Sequence, residues 1–427
     1  MGRAASGGCV PKGGSMVKMG SWIEQDHKYF MDTGHRRLGI VLVKGSGTKV
    51  WDDQGKEYLD FLGGWAVTNL GHCHPVLVEA LKRQADELWI GSSDVYTIPQ
   101  IKLAELLMQH TCFDKVFFAN SGAEANEGAI KLARKYGKLH LSGAFRVISA
   151  FNSFHGRTLA MVAATGKPAY QAPYLPLPDG FDNVAYDDIN AIMQATKPET
   201  CAVLLEPIQG EGGVIVPSPD YFRKVREWCD ERGLLLILDE IQTGCGRTGG
   251  LFAYTGMGVE PDIMTIGKGL GGGVPIAAIL AKDHAAVFGH GDHGSTYGGN
   301  PLMCATAFAS VRYIIDHDIP AQAWRMGDYL ANRLREIQAD PGAQMDDGRP
   351  MIKEVRGRGL LLAAEFEMPI VEDLVNSARD NGLLLNPNRP TIVRMMPPLT
   401  VTTEEVDAAM DIFQASIARA RKAVPAP

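Results

Sequence analysis

A lysine and an aspartate end two successive apolar runs of the sequence. The run "LLLILD" ends at Asp239, and the run "DIMTIGK" ends at Lys268, which "GLGGG" follows. Both runs have the length and composition of buried strands, so each polar side chain is expected at the end of a core strand. In open parallel sheets, ligands bind beyond these ends. Taken singly, the lysine more often reaches solvent and the aspartate more often caps a turn.

A turn that could bind phosphate follows another predicted strand. In "VFFANSGAEANE" the strand ends before Asn120, and a helix begins near Gly122. Free N–H groups and the helix dipole favour an anion there, and a glycine lets it approach closely. Ser121 and Glu124 also match the capping box S-x-x-E, which needs no ligand. By itself, this segment supports both interpretations equally.

Together, the three features favour pyridoxal phosphate (PLP). Lys268 would form an imine with the cofactor aldehyde, and a partly desolvated amine has the lowered pKa that this chemistry requires. Asp239 would keep the pyridine nitrogen protonated, so that the ring can take up carbanion electrons. The glycines after Lys268 would leave room for the ring and the substrate, and the turn at Gly122 would hold the phosphate.

A competing motif is "GCGRTG", residues 244–249, which has the G-x-G-x-x-G spacing of a dinucleotide-binding turn. The segment after it, "LFAYTGMGVEPD", has glycine and proline where that motif needs a long helix. A dinucleotide site would also leave Lys268 without a role. An NAD-dependent dehydrogenase is therefore kept as a remote alternative.

Strand and helix signals alternate along the middle of the chain. This alternation predicts an α/β fold with a mostly parallel central sheet, in a large cofactor-binding domain over residues 71–311. The pattern over residues 312–427 predicts a smaller α+β domain. Residues 21–70, with a hairpin that turns near Gly55, are expected to join this smaller domain. Residues 1–20 are expected to be a disordered leader, although "MGRAAS" also fits a myristoylation pattern.

Composition limits the classes of partner. The 427 residues carry a formal net charge of −7, which gives no reason to expect nucleic acid or an anionic membrane. No apolar run approaches the roughly 18 residues that span a bilayer. The seven cysteines are never CxxC-spaced, which predicts reduced thiols in the cytoplasm. We expect no bound metal.

Six motifs in chain order resemble the class III, or ornithine-type, aminotransferases of PLP fold type I. They are "FFANSGAEANEGAIKLAR", "SFHGRT", "EPIQGEGG", "LILDEIQTGCGRTG", "PDIMTIGKGLGGGVP" and "HGSTYGGNPL". The resemblance covers about residues 35–415. Two further segments, "YLDFLGGWAVTNLGHCHP" and "NRPTIVRMMPPLTVT", are most similar to the subfamily that acts on N-acetylornithine.

The resemblance implies a set of site residues. Lys268, as Schiff-base lysine and proton shuttle, and Asp239, as partner of the pyridine N–H, are the implied catalytic pair. The implied cofactor-binding residues are Ser121, Gly122, Ala123, Phe154, His155, Asp239, Gln242, Lys268 and Thr296. The implied substrate-binding residues are Trp65, Arg157, Glu211, Ser295 and Arg394.

Several of these residues have specific implied roles at the cofactor. Gly122 and Ala123 give backbone N–H groups to the phosphate. Phe154 stacks on the ring, and Gln242 approaches its hydroxyl. In a homodimer, Thr296, with its neighbour Ser295, reaches across the interface to the phosphate of the other subunit.

The resemblance also implies how substrates are held. Arg157 binds a substrate carboxylate, Arg394 takes the α-carboxylate of 2-oxoglutarate, and Glu211 pairs with Arg394 when an amine donor is bound. Two positions depart from the family pattern. Gly267 replaces the usual alanine before the lysine, and the bulky Trp65 stands where substrates enter.

These features predict a PLP-dependent aminotransferase that works in two half-reactions. A terminal amine donor, N-acetylornithine or a similar acylated diamino acid, leaves as the semialdehyde, and 2-oxoglutarate becomes glutamate. The alternatives are a sister class III enzyme that uses 4-aminobutyrate, ornithine, β-alanine or alanine with glyoxylate, and an isomerase on the same fold. A non-catalytic PLP-binding regulator is disfavoured by the intact catalytic pair.

Overall fold

The computed structural model describes residues 21–33, 38–92, 94–345 and 347–423. The predicted leader, residues 1–20, lies outside these ranges. The strands are β1 (Leu42–Ser46), β2 (Lys49–Asp52), β3 (Glu57–Asp60), β4 (Lys115–Ala119), β5 (Arg146–Ala150), β6 (Phe181–Val184), β7 (Thr200–Leu205), β8 (Leu235–Asp239), β9 (Ile263–Ile266), β10 (Ala277–Ala281), β11 (Ile352–Arg358), β12 (Leu361–Phe366), β13 (Leu383–Leu384), β14 (Asn386–Arg389) and β15 (Ile392–Met395).

The helices cover and connect these strands. They are α1 (Trp22–Tyr29), α2 (Gly63–Ala66), α3 (Pro75–Glu87), α4 (Ile98–Gln109), α5 (Gly122–His140), α6 (Leu159–Ala164), α7 (Pro168–Gln171), α8 (Ile189–Ala195), α9 (Tyr221–Arg232), α10 (Pro301–Asp316), α11 (Ile319–Ala339), α12 (Val371–Asp380) and α13 (Thr403–Ala423). None of the helices that the structure describes is long and apolar enough to cross a lipid bilayer.

A seven-stranded sheet forms the centre of the structure, in the order β4-β10-β9-β8-β7-β5-β6. Strands β6, β5, β7, β8 and β9 run parallel, and β10 is antiparallel to both β9 and β4. The predicted α/β fold with a mostly parallel sheet is confirmed. Strand β4 therefore points the same way as β9, and the carboxyl ends of six of the seven strands meet at one edge.

The core explains why the strands could be read from the sequence. Every residue of β7, β8 and β9 is buried. Alternate residues of β8 enter different apolar clusters: Leu236 and Leu238 pack in one, and Leu235 and Ile237 in the other. A strand covered on both faces is apolar at nearly every position, and this is the pattern that the sequence shows.

Two smaller sheets flank the central one. The first has the order β1-β2-β3-β13, so N-terminal strands pair with the C-terminal segment Leu383–Leu384. Its hairpin turns at Gly55, whose φ of +81° is readily adopted by glycine. The second has the order β11-β12-β15-β14. The exact division into domains stays a prediction.

Candidate active site

A cavity of about 270 Å³ lies beyond the carboxyl ends of β4, β5, β7, β8 and β9. The edge of the sheet brings together residues from five distant segments of the chain. Nine residues predicted for the site line this cavity: Gly122, Ala123, Phe154, His155, Arg157, Glu211, Asp239, Gln242 and Lys268. The structure thus places Asp239 and Lys268 in one wall, while the roles of the nine residues stay predictions.

The Asp239 carboxylate is fixed by two side chains and one backbone group. Its Oδ2 accepts hydrogen bonds from His155 Nδ1 and Asn126 Nδ2, each at 2.8 Å, and its Oδ1 accepts from the Ile241 N–H at 3.1 Å. A carboxylate only accepts, so His155 carries a proton on Nδ1. Asp239 is almost fully buried. Its fixed geometry suits a cavity partner that donates an N–H group.

Asn126 is a member of this network that the sequence patterns did not identify. It lies on the buried face of α5, where its Nδ2 also donates to the His155 carbonyl at 2.8 Å. Its Oδ1 accepts from Thr265 Oγ1 on β9 at 2.7 Å. A buried amide among alanines is costly unless it is hydrogen-bonded. This polar position on an apolar helix face is the signal that could have revealed it.

Lys268 lies two residues after the end of β9 and begins a short 3-10 turn with a φ of +42°. Burial lowers the pKa of its amine to about 8, and the nearby Glu211 carboxylate acts in the opposite direction. At neutral pH a usable fraction of this amine is therefore uncharged and nucleophilic. Imine formation by a strand-end lysine requires a pKa that is lowered in this direction.

Gly269 and Gly271, after Lys268, serve close packing rather than the room for a ring that the sequence suggested. Residues 269–273 do not line the cavity. A Cβ at Gly269 would collide with the Asn69 side chain, and a Cβ at Gly271 would lie 2.5 Å from the Val274 carbonyl oxygen. At these two glycines a side chain cannot be accommodated without displacing a neighbouring group, whereas a Cβ at Gly273 would meet nothing within 4 Å.

Arg394 and Glu211 form an ion pair at the cavity, in which the Glu211 side chain is 29% exposed. The Arg394 side chain is fully buried, and its Nη2 lies 2.6 Å from Glu211 Oε1. Its Nε donates to Asn386 Oδ1 at 3.2 Å. Burial alone would raise the pKa of Glu211, but the positive charges of Arg394 and Lys268 outweigh it and lower the pKa. Glu211 is therefore ionised, and it compensates the charge of the arginine.

Gln242 connects this ion pair with the cavity. Its Oε1 accepts a hydrogen bond from Arg394 Nη1 at 3.3 Å. Its Nε2 is buried and has no hydrogen-bond partner among the described residues. A buried donor without a partner is costly, so this N–H group is available to an acceptor inside the cavity.

The turn before α5 has both features that the sequence offered. Ser121 and Glu124 form the capping box, with the Glu124 N–H donating to Ser121 Oγ at 3.3 Å and the Ser121 N–H donating to Glu124 Oε2 at 2.8 Å. Ser121 does not line the cavity, whereas Gly122 and Ala123 do. The first N–H groups of a helix have no intrahelical partner. The N–H groups of Gly122 and Ala123 are therefore left to bind an anion beside the cap.

Five predicted site residues do not line this cavity. Ser121 and Arg394 adjoin the lining residues Gly122 and Glu211, and the other three lie elsewhere in the single chain. Ser295 and Thr296 line a separate cavity of about 440 Å³, together with residues of the segment 91–101. Trp65 lies on α2 with 48% of its surface exposed. The chain alone does not bring these side chains to Lys268. Their implied roles at the cofactor and the substrate stay predictions.

Glu206 is a buried acid of the cavity wall that the sequence analysis did not select. Burial raises the pKa of Glu206 well above its usual value, and the neighbouring Asp239 charge raises it further. Its Oε2 accepts a hydrogen bond from the Phe154 N–H at 3.2 Å. Glu206 therefore has a raised pKa, and its hydrogen bond positions the Phe154 backbone.

Comparison with known proteins gives one family. The family model described as aminotransferase class III matches residues 30–417. A relative called acetylornithine aminotransferase, from Caldanaerobacter subterraneus, is 48% identical over 392 residues, which are 92% of this chain and 98% of the relative.

Solved structures show the same likeness. An ornithine aminotransferase from Toxoplasma gondii, described with partial occupancy of PLP at its active site, has a TM-score of 0.87, is 36% identical and covers 94% of both chains. An acetylornithine aminotransferase from Elizabethkingia anophelis has a TM-score of 0.81 at 34% identity, over 93% of this chain and 98% of that one. The predicted fold type I and the predicted aminotransferase class are confirmed.

Proposed function

This chain belongs to the class III aminotransferase family, and from that premise we propose that it moves the terminal amino group of N-acetylornithine to 2-oxoglutarate. The products are the corresponding semialdehyde and glutamate. The observation that carries the proposal is the ion pair between the fully buried Arg394 and Glu211, which lines the same cavity as Lys268 and Asp239. An arginine that can exchange the Glu211 carboxylate for a substrate carboxylate suits an enzyme that binds two different substrates in turn.

The groups of the cavity fit PLP as the cofactor. PLP supplies an aldehyde that links to amines and a pyridine ring that withdraws electrons from the attached carbon. Asp239 would accept the ring N–H, and the unpartnered Gln242 Nε2 would donate to the ring hydroxyl. The N–H groups of Gly122 and Ala123 would bind the phosphate. Phe154 would lie against the ring.

Lys268 would act twice in this arrangement. Its neutral amine would attach covalently to the aldehyde, and once freed, it would carry a proton between two carbon atoms as a general base and acid. A pKa of about 8 suits both roles near neutral pH. Asp239 would accept the ring N–H throughout and hold that proton in place.

The two substrates make different demands on Arg394. In N-acetylornithine the reacting amine is terminal, so no carboxylate lies next to it, and Glu211 occupies the arginine. In 2-oxoglutarate the α-carboxylate adjoins the reacting carbonyl and would displace Glu211. A fully buried arginine without any anion would be strongly destabilising. The ion pair therefore acts as a gate between the half-reactions.

A donor screen at fixed 2-oxoglutarate tests the proposed substrate. N-acetylornithine is compared with ornithine, 4-aminobutyrate and β-alanine through kcat/KM for glutamate formation. We expect N-acetylornithine to exceed each of the others by about tenfold or more, a difference of about 1.4 kcal/mol in transition-state binding. A higher kcat/KM for another donor would replace N-acetylornithine in the proposal.

The variant Glu211→Ala should make glutamate a better donor in the first half-reaction. Without Glu211, Arg394 is free for the α-carboxylate of glutamate, whereas N-acetylornithine gains nothing. Loss of a charge-paired hydrogen bond is worth about 1.5–3 kcal/mol, so the preference should shift about ten- to hundredfold towards glutamate. Single-turnover absorbance changes of the bound cofactor with the two donors give this ratio.

The matched control is Glu227→Ala. Glu227 is an exposed glutamate on α9 that pairs with Arg223 at 2.7 Å and does not line the cavity. It should leave the ratio of the two donors unchanged. An unchanged ratio in Glu211→Ala as well would mean that Glu211 is not the gate.

We further propose a homodimer in which Ser295 and Thr296 approach the phosphate of the neighbouring subunit. Both line a cavity whose surroundings expose large apolar side chains, including Tyr96 at 96% and Tyr297 at 64%. Exposed apolar patches of this kind mark interaction surfaces. Sedimentation equilibrium of the PLP-loaded enzyme measures this state, and a persistent monomer would overturn the proposal.

A further inference from the structure

Two cations flank the same pair of aromatic rings at the rim of the cavity. The Arg157 guanidinium lies 3.9 Å from the centre of the Tyr170 ring and 5.4 Å from that of Phe154. The Lys167 amine lies 5.3 Å and 5.9 Å from the same two centres. Phe154 and Arg157 line the cavity. Lys167 therefore lies beside the place where a substrate carboxylate is expected.

Local structure holds Lys167 in this position. It immediately precedes α7, and the Tyr170 N–H donates to the Lys167 carbonyl at 2.9 Å. Two residues earlier, Thr165 Oγ1 accepts a hydrogen bond from the His155 N–H at 3.0 Å. This bond ties the segment to the loop that carries Arg157. The segment "TGKPAY" thus packs next to the loop that lines the cavity, although no sequence motif pointed to it.

Lys167 lacks an anionic partner in the part of the chain that the structure describes. Its amine donates one hydrogen bond, to the Glu211 backbone carbonyl at 3.2 Å, and forms no ion pair. Burial lowers the pKa of Lys167; the carboxyl groups of Glu211 and Glu206 oppose this effect, and the charges of Arg389 and Arg157 add to it. An ammonium group has three donors, so two remain available for a ligand.

We propose that Lys167 is a second carboxylate-binding residue, which acts with Arg157 on the substrate carboxylate that is remote from the reacting atom. This inference rests on the proposed function. In N-acetylornithine that group is the α-carboxylate, because the δ-amine reacts. In 2-oxoglutarate it is the γ-carboxylate, because Arg394 takes the other one. One cationic rim thus serves both half-reactions through charge-assisted hydrogen bonds.

A purely structural role of Lys167 would have different consequences. Its bond to the Glu211 carbonyl would then serve only to hold the loop that carries the Glu211 side chain. Removal of the amine would disturb the Glu211–Arg394 pair and change the preference between glutamate and N-acetylornithine. It would not distinguish substrates by their remote group.

The test uses Lys167→Gln and two pairs of substrates that differ only in the remote carboxylate. The donors are N-acetylornithine and N-acetylputrescine, and the acceptors are 2-oxoglutarate and 2-oxovalerate, given to enzyme loaded with pyridoxamine phosphate. With each carboxylate-bearing substrate, kcat/KM should fall about tenfold, mainly through KM. With each substrate that lacks the carboxylate, kcat/KM should stay within about twofold of wild type. Lys167→Arg should recover most of the loss.

Lys224→Gln is the control for a change of charge, because Lys224 is exposed on α9 and pairs with Asp220. Lys224→Gln should leave kcat/KM unchanged for both members of the donor pair and of the keto-acid pair. Equal losses with both members of each pair, or an altered ratio of glutamate to N-acetylornithine, would overturn the proposal. If N-acetylornithine proves not to be a donor, the pair of keto acids still tests Lys167, so the two failures are distinguishable.

Discussion

Replacement of Lys268 by alanine should leave PLP binding largely intact and reduce turnover by more than about 10⁴-fold. Lys268 is the one lysine among the residues that line the cavity of the described chain. General acid–base catalysis alone contributes about 10²–10⁴-fold, and loss of the covalent attachment adds to it. Borohydride reduction of the wild-type enzyme, followed by peptide mapping, identifies the lysine that carries the cofactor.

Two comparisons keep this prediction specific. Lys224→Ala, at an exposed helix position, should retain the wild-type rate and the label on Lys268. Lys268→Ala should still retain PLP, but without covalent attachment. The amount of bound PLP is measured by the absorbance of the cofactor that denaturation releases and filtration separates from the protein. A pyridoxyl label on any other lysine of the wild-type enzyme would refute the assignment.

Asp239→Asn is expected to keep the fold and much of the PLP, and to slow both half-reactions by about 10³-fold. The amide oxygen can still accept from His155 and Asn126, so most of the local structure survives, although the NH2 group cannot accept from the Ile241 N–H. It has no charge with which to hold a proton on the ring nitrogen, so the ring loses its capacity to take up electrons. Single-turnover rates with the donor and with 2-oxoglutarate measure this effect.

Glu240→Gln is the matched control, since it makes the same change at the next residue. The Glu240 carboxylate accepts from the Ala253 and Tyr254 N–H groups, each at 2.8 Å, and does not line the cavity. Its variant should react within about tenfold of wild type, or about 1.4 kcal/mol. Asp239→Asn rates inside that same range would show that Asp239 is not the partner of the ring.

Much of the fold was predictable because burial imposes composition. Strands β7, β8 and β9 are covered on both faces, so each is a continuous apolar run with turn residues after it. Strand β6, "FDNV", carries too few apolar residues to give this signal, and β10 directly follows a glycine-rich segment that masks its start. These two strands were therefore not predicted, although β10 lies between β4 and β9.

The candidate site was only partly predictable. Asp239 and Lys268 end strands that are neighbours in the sheet, so the sequence could place them together. The network around Asp239 combines side chains from three elements. Asn126 lies on α5, His155 lies in the loop after β5, and Thr265 lies on β9. No local pattern connects three such elements. Side-chain hydrogen bonds between them depend on distances that only the packed structure sets.

The sequence by itself determined the strand-end chemistry and, through its motifs, the reaction class, because hydrophobic periodicity and turn residues act over short stretches of chain. The tertiary structure alone decided which charges meet. It joined Glu211 to Arg394 of β15, and it set Lys167 beside the rings that hold Arg157. Such pairings depend on how distant segments pack, and burial then changes the ionisation of the groups that it brings together.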